Sequence, residues 1–294
     1  MKEGKTMTLT VQNLKFSYRA NQVLDISEAI FEEGKIYGIV GRNGVGKTTF
    51  FKTLTNIITN YSGAIEIKGN NVKENPKMLT SVGIVLDDME LYKNYTGLFN
   101  MRYFGGLHGE FDEDKAISLA QELDIYKSLQ QKVSSYSLGM NKKLILLISL
   151  MSQAQILIFD EPFRGLDKKT VEWFKKYLLD LKKEGRMILI SSHVQEDIET
   201  LADEVLVLEN GNFTEKFDLR EKNQAFIYRV QTNNSEKIVK LLLESGVKVT
   251  SQSDNWTAFE MTESDYRSMF KQAVAQDIEF YQIKKESKFV ELVK

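Results

Sequence analysis

Ile36-Tyr37-Gly38-Ile39-Val40-Gly41-Arg42-Asn43-Gly44-Val45-Gly46-Lys47-Thr48-Thr49 is the stretch on which the fold turns. Ile36 to Val40 is a short apolar run of the kind that makes a buried strand, and Thr49 to Ile58 continues as a helical pattern. Between them, Gly41 to Thr48 fits G-x-x-x-x-G-K-S/T. Strand, glycine loop and helix in that order present backbone N–H groups at a helix N-terminus, where a nucleotide's phosphates bind. Gly41, Gly44 and Gly46 free the loop of bulk so that it can approach closely, with Arg42, Asn43 and Val45 completing the wrap. Lys47 offers a mobile positive charge to the terminal phosphates. The Thr48 hydroxyl is an oxygen ligand suited to Mg²⁺, and Thr49 reads as the cap of the helix.

Working outward, Ile156 to Phe159 is a second buried strand that ends in Asp160 and Glu161, with Pro162 behind them. Strand ends of a parallel sheet are where such sites form. Asp160 is placed to hold a metal and Glu161 to polarise a water. Ser137-Leu138-Gly139 opens a further helical pattern near Met140, a second helix N-terminus available to an anion. His193 follows Ser191 and Ser192 at the end of the strand Met187 to Ile190, which favours a functional role. His108, in the glycine-rich stretch 105–109, is assigned none.

The rest of the chain bounds these readings. Its 294 residues, net charge −2 and 42% hydrophobic content describe an ordinary globular protein, long enough for about two units. The near balance of 39 basic and 41 acidic residues gives no bulk attraction to nucleic acid or to an anionic membrane. With no cysteine, disulfides, thiolate zinc sites and a cysteine nucleophile are excluded. The polar N-terminus shows no signal peptide, and Leu144 to Phe159 is too short and too interrupted to span a membrane.

Short apolar runs (Leu9 to Phe16, Ile36 to Val40, Val82 to Leu86, Ile156 to Phe159, Met187 to Ile190, Val205 to Leu208) alternate with helical patterns, which predicts an α/β domain over 1–212. Residues 90–136 read as a helical insertion whose aromatics, Tyr92, Tyr95, Phe99, Tyr103 and Phe104, mostly fill its own small core, with a subset free to dock a partner. Gly246 is the only glycine after Gly211, a shift that sets a boundary near Asn212. Residues 213–294 then run β-α-β-β-α-β: strand Ala225 to Gln231, helix Ser235 to Glu244, strands Val247 to Ser251 and Trp256 to Met261, helix Thr262 to Ala275, strand Ile278 to Ile283. That order predicts a small α+β, ferredoxin-like accessory domain.

Leu9 to Asn212 resembles the nucleotide-binding subunit of an ABC transporter, a P-loop NTPase cassette. Tyr18 matches the aromatic that stacks on adenine, Gly41 to Thr48 the Walker A loop, and Asp87 the Q-loop position. Tyr136-Ser137-Leu138-Gly139-Met140 matches the signature, Asp160 and Glu161 match Walker B and its carboxylate, Gly165-Leu166-Asp167 the D-loop, and His193 the switch histidine. Three departures stand out: Asp87 in place of Gln, Leu138 and Met140 in place of Gly and Gln, and Lys143 in place of Arg. They are similar to features of a bacterial exporter branch related to bacitracin-resistance and sodium-efflux ATPases. In the Q-loop position, Asp87 joins Thr48 and Asp160 as a metal-ligand candidate.

The resemblance implies an ATPase that uses Mg²⁺. Two cassettes would sandwich each ATP between one loop, 41–48, and the partner's Ser137, Gly139 and Asp167. Lys47, Glu161 and His193 would carry the chemistry. A separate integral membrane permease would meet the insertion near Asp87 to Phe104, holding a cytoplasmic chain on the inner face of the membrane, most simply for export. No nucleic acid is expected. A ribosome- or DNA-directed soluble ABC ATPase fits less well, since this chain has one cassette and no coiled-coil heptads, and a nucleotide sensor fits poorly with intact Asp160, Glu161 and His193.

Overall fold

The computed structural model describes residues 6–107, 111–221, 225–253 and 256–290, and His108 lies outside them. The chain divides into two compact units, Met1–Lys216 and Phe217–Lys294.

The first unit begins with β1 (Thr8–Tyr18), β2 (Asn21–Glu32), β3 (Ile36–Val40), α1 (Lys47–Leu54), β4 (Ser62–Ile67), β5 (Asn70–Asn71) and β6 (Val82–Val85). It continues through α2 (Gly97–Gly106), α3 (Glu113–Glu122), α4 (Leu138–Met151), β7 (Ile156–Asp160), α5 (Lys168–Lys183), β8 (Met187–Ser191), α6 (Gln195–Leu201), β9 (Glu204–Glu209) and β10 (Asn212–Asp218). A six-stranded sheet of order β10-β9-β3-β8-β7-β6 forms its centre, and β9, β3, β8, β7 and β6 run parallel. Every residue of β3, β7 and β8 is buried, which explains their continuous apolar runs.

β1 does not belong to that sheet. It pairs antiparallel with β2 and β4 in a separate sheet of order β2-β1-β4-β5. The sequence reading did not register this layer. β2 loses its alternation around Ser27-Glu28, so Leu24 and Ile26 are buried out of phase with Ala29 and Phe31. Helix α1 lies between the two sheets, against β2 on one side and β7 on the other. Its Phe50 and Phe51 are fully buried, with Phe50 tilted on Phe31 at 6.3 Å and edge-on to Phe213 at 5.2 Å. Each such ring contributes about 1.5–3 kcal/mol of burial, so the helix carrying Lys47 and Thr48 is clamped from both faces.

The helical region also departs from expectation. α2 and α3 pack on α4, which lies beyond 90–136, and the aromatics do not fill a core of their own. Tyr92, Tyr95, Phe99 and Tyr103 stand exposed in a stacked cluster: Tyr95 and Phe99 lie 4.3 Å apart, and Phe99 and Tyr103 5.8 Å. Apolar Met101 and, beside it, the amide of Asn100 are buried in α2, together with Gly97 and Gly105. Asn100 Oδ1 accepts from Tyr92 N–H at 2.8 Å, and its Nδ2 donates to the carbonyls of Tyr92 and Thr96. A buried amide thus holds the aromatic segment from below and leaves its rings outside.

The glycine at 211 marks a hairpin. Asn210 (φ 49°) and Gly211 (φ 81°) are both left-handed, the requirement of the two-residue turn that joins β9 to β10. The chain therefore adds one more strand from Asn212 onward, and the division between the units falls within its last residues, at Lys216/Phe217.

The second unit contains β11 (Ala225–Thr232), α7 (Ser235–Glu244), β12 (Val249–Gln252), β13 (Thr257–Thr262), α8 (Glu263–Ala275) and β14 (Phe280–Ser287). Its sheet has the order β12-β13-β11-β14, antiparallel throughout. Tyr228, Val230, Phe259 and Met261 of the sheet pack with Ile238, Leu242, Met269 and Ala273 of the helices. Two of the strands start two residues later than their apolar runs. Val247 N–H donates to Leu242 and Ile278 N–H to Ala273, closing the ends of α7 and α8 over left-handed Gly246 and Asp277. Those apolar residues are spent on helix caps.

Candidate active site

The C-terminal ends of β3, β8 and β7 lie side by side, and the loop that follows each of them opens on one cleft of about 490 Å³. β3 hands the chain to Gly41, where a Cβ would meet the Leu208 carbonyl oxygen at 2.4 Å and φ is 156°. Only glycine fits there. Gly46 (φ 114°) is the N-cap of α1 and supplies no side-chain cap, so the first-turn N–H groups of Lys47, Thr48 and Thr49 point out of the helix end. Thr49, expected as the cap, is the third residue inside the helix. The cap position needs a left-handed backbone, which glycine adopts readily.

Lys47 is 8% exposed, and its ammonium donates to the carbonyls of Gly41 at 2.7 Å and Arg42 at 3.2 Å. Burial pushes its pKa down, against the upward pull of Glu161 and Asp160. The Thr48 hydroxyl donates to Asp160 Oδ2 at 2.5 Å, and the Ser191 hydroxyl donates to Asp160 Oδ1 at 2.5 Å. Asp160, 2% exposed, is therefore gripped on both oxygens. Glu161 follows with φ 49°, a backbone state uncommon for a non-glycine residue, and this turns the chain sharply at the strand end. Its N–H donates to Ser191, and its Oε2 lies 2.6 Å from His193 Nδ1 and accepts from His193 N–H at 3.3 Å.

Asp87 reaches the same cleft, but not with free oxygens. Oδ1 accepts from Lys142 at 2.7 Å and Oδ2 from Arg164 at 2.8 Å. Burial works to raise its pKa, yet the two cations hold it below the ordinary carboxylate value.

The cleft gathers Asn43, Gly44, Gly46, Lys47, Thr48 and Thr49 with Asp87, Asp160, Glu161 and His193. Gly41, Arg42 and Val45 belong to the same loop but are not among the lining residues. Tyr18, half exposed and edge-on to Phe16 at 4.7 Å, is not part of the lining, and neither are Ser137, Gly139 and Asp167. Ser137 caps α4 by accepting from Met140 N–H at 3.2 Å and lines an adjoining groove with Leu138, Asp87 and Arg164. A Cβ on Gly139 would lie 3.1 Å from the Gly165 carbonyl, so the signature turn and the D-loop are closely packed. Asp167 caps α5 and pairs with Lys143 at 2.8 Å; that hydrogen bond, with the Thr170 N–H, holds its pKa well below the usual range.

Three residues of the site escaped the sequence reading: Ser191, Lys142 and Arg164. Ser191 had a signal, since it ends the strand that precedes His193, and its register partner is Asp160. Lys142 sits among apolar helix residues and is 5% exposed, which periodicity alone does not disclose.

A family model described as ABC transporter matches residues 24–164. The chain is 31% identical over 245 residues to the bacitracin transport ATP-binding protein BcrA of Enterococcus faecalis, covering 82% of this chain and 80% of that one. It is 33% identical over 195 residues to the lantibiotic transport ATP-binding protein SrtF of Streptococcus pyogenes, covering 66% and 84%. A solved ATP-binding subunit of an ABC transporter superposes with a TM-score of 0.67 at 25% identity, over 72% of this chain and 90% of that one. Such kinship over four fifths of both chains, on an ABC ATPase fold, means that this chain belongs to the ATP-binding subunits of ABC transporters, the family that hydrolyses ATP to power transport.

Proposed function

We propose that this chain is one of two cassettes that close on ATP, hydrolyse it, and drive a separate integral membrane permease in the export direction. The observation that carries the site is the convergence of Lys47, Thr48, Asp160, Glu161 and His193 on one cleft beneath an uncapped helix N-terminus. In this reading the loop 41–46 and the first turn of α1 hold the phosphates through backbone N–H groups, and Lys47 exchanges its two carbonyl partners for phosphate oxygens. Glu161 orients and deprotonates the attacking water. His193, bonded to Glu161, steadies that carboxylate and reaches the terminal phosphate.

Mg²⁺ fits the donor set. Among the described residues no group of three or more His, Asp or Glu side chains could hold a metal alone. This ion does not need one, since it binds through one or two protein oxygens plus phosphates and waters. Thr48 and Asp160, already 2.5 Å apart, are the residues that would hold it. When bound, it would neutralise phosphate charge.

Ser137, Gly139 and Asp167 stand outside the cleft, which supports a role toward a second cassette's nucleotide. Tyr18, half exposed beside Phe16, would offer its ring to adenine in this reading. The stacked Tyr92, Tyr95, Phe99 and Tyr103 support a permease-docking surface, since a contiguous exposed aromatic patch marks an interaction site. No helix among the described residues is long and apolar enough to cross a membrane, so the reading holds the chain on the inner face of the cell membrane through its permease. The relatives named for bacitracin and lantibiotic transport support an exporter. The strand order of the second unit, second-third-first-fourth, supports a ferredoxin-like accessory domain.

Phosphate release by the purified chain with Mg-ATP tests the catalytic reading, and co-purification with a polytopic membrane protein from detergent extracts tests the partner. Absence of Mg-dependent turnover, alone and with that partner, would overturn it.

A further inference from the structure

Asp87 joins two cations of opposite character. Lys142 reaches it from inside α4, its side chain only 7% exposed. Arg164 reaches it from the turn after β7, its side chain 64% exposed. The first pair is fixed by burial. The second is screened and exchangeable. Because Lys142 already balances the carboxylate, the charge of Arg164 is surplus to the triad.

Arg164 is also anchored at the cleft. Its N–H donates to the Glu161 carbonyl at 3.3 Å, and its side chain lines the cleft with Lys47, Thr48 and His193. A guanidinium presents several N–H donors in a planar fork that matches phosphate oxygens, whereas Asp87 Oδ2 engages only one of its nitrogens.

We propose that Arg164 is a further phosphate-contacting residue: it leaves Asp87 for the terminal phosphate of ATP, while Lys142 keeps Asp87 in place. This rests on the cleft being the ATP site. ADP lacks the group that draws Arg164 away, so Arg164 distinguishes ATP from ADP. The exchange also releases one of the two cation contacts of Asp87, the one to the turn after β7, and leaves the one to α4, so occupancy of the terminal-phosphate position is reported to α4 through Asp87 and Lys142.

Calorimetry with Mg-AMP-PNP and Mg-ADP on the full chain tests it. Arg164→Ala is expected to weaken Mg-AMP-PNP binding about tenfold or more, the effect of one charge-assisted contact, and to leave Mg-ADP within about twofold. Arg164→Lys, which keeps the charge and loses the fork, should fall between the wild type and Arg164→Ala. Equal weakening of both nucleotides, or of neither, would overturn the proposal. Lys47→Ala serves as the control for the site: if it leaves both affinities intact, the phosphate-loop reading itself fails, whatever Arg164 does.

Discussion

The hydroxyl of Ser191 donates to Oδ1 of Asp160 at 2.5 Å from the neighbouring strand, while Thr48 holds Oδ2. The carboxylate has no rotational freedom left, and its orientation is set by two elements far apart in sequence. Ser191→Ala removes one grip without opening a cavity of any size. A hydrogen bond to a charged group is worth about 1.5–3 kcal/mol, so ATP turnover should fall roughly tenfold or more, measured by phosphate release. Unchanged turnover would mean that Thr48 alone orients Asp160.

Glu161→Gln keeps the side chain's size and its place beside His193 but loses the carboxylate proposed as the base. Turnover is expected to drop about 10²-fold or more while ATP binding persists. Gel filtration with Mg-ATP should then show a trapped dimer. A mutant that hydrolyses at the wild-type rate would assign the base elsewhere.

Asp87→Asn leaves Lys142 charged, 5% exposed and without a counter-ion. Since Asp87 itself is partly exposed, the loss should be about 1–3 kcal/mol of stability, read from thermal or urea unfolding. The double variant Asp87→Asn with Lys142→Met should recover most of it. A single variant as stable as wild type would show that Lys142 finds water.

The same pairs set an acid limit. Asp87 and Asp167 both have carboxyl pKa values held below the ordinary value, by Lys142 and Arg164 in one case and by Lys143 in the other. A carboxylate depressed in the folded state contributes stability that is complete above its unfolded value, about 3.9, and that is lost as pH falls through the folded value. The melting temperature should therefore hold steady down to about pH 5 with respect to these groups and decline below about pH 4. Asp167→Asn should shallow that decline, and an identical acid limb would refute the assignment.

Replacing Tyr95, Phe99 and Tyr103 together with Ala should abolish recovery of the chain with its permease from membranes. Their exposure means that the fold keeps its melting temperature. Full recovery of the complex would move the docking surface elsewhere.

Local chemistry made the strand ends around the cleft readable. The loop 41–48, the pair Asp160-Glu161 and His193 each announce themselves within a few residues, because phosphate binding needs glycine, lysine and a helix start in immediate succession. Ser191 was harder, since a serine at a strand end acquires meaning only when register sets it against Asp160. The antiparallel sheet of β1 and β2 stayed hidden because β2 breaks its own alternation. The Asn210-Gly211 hairpin read as a boundary because a glycine shift marks turns of either kind.

What the amino-acid order determined by itself was the expectation of a phosphate site, its chemistry class and the α/β plan around it, because backbone freedom, strand burial and helix starts are encoded by adjacent residues. What only the tertiary structure decided was the company each charge keeps. Which cations Asp87 meets, and whether the aromatics of α2 face a core or solvent, depends on residues 55 and 77 positions away for the one and on a buried Asn100 for the other. Those are pairings across the fold, and no periodicity along the chain specifies them.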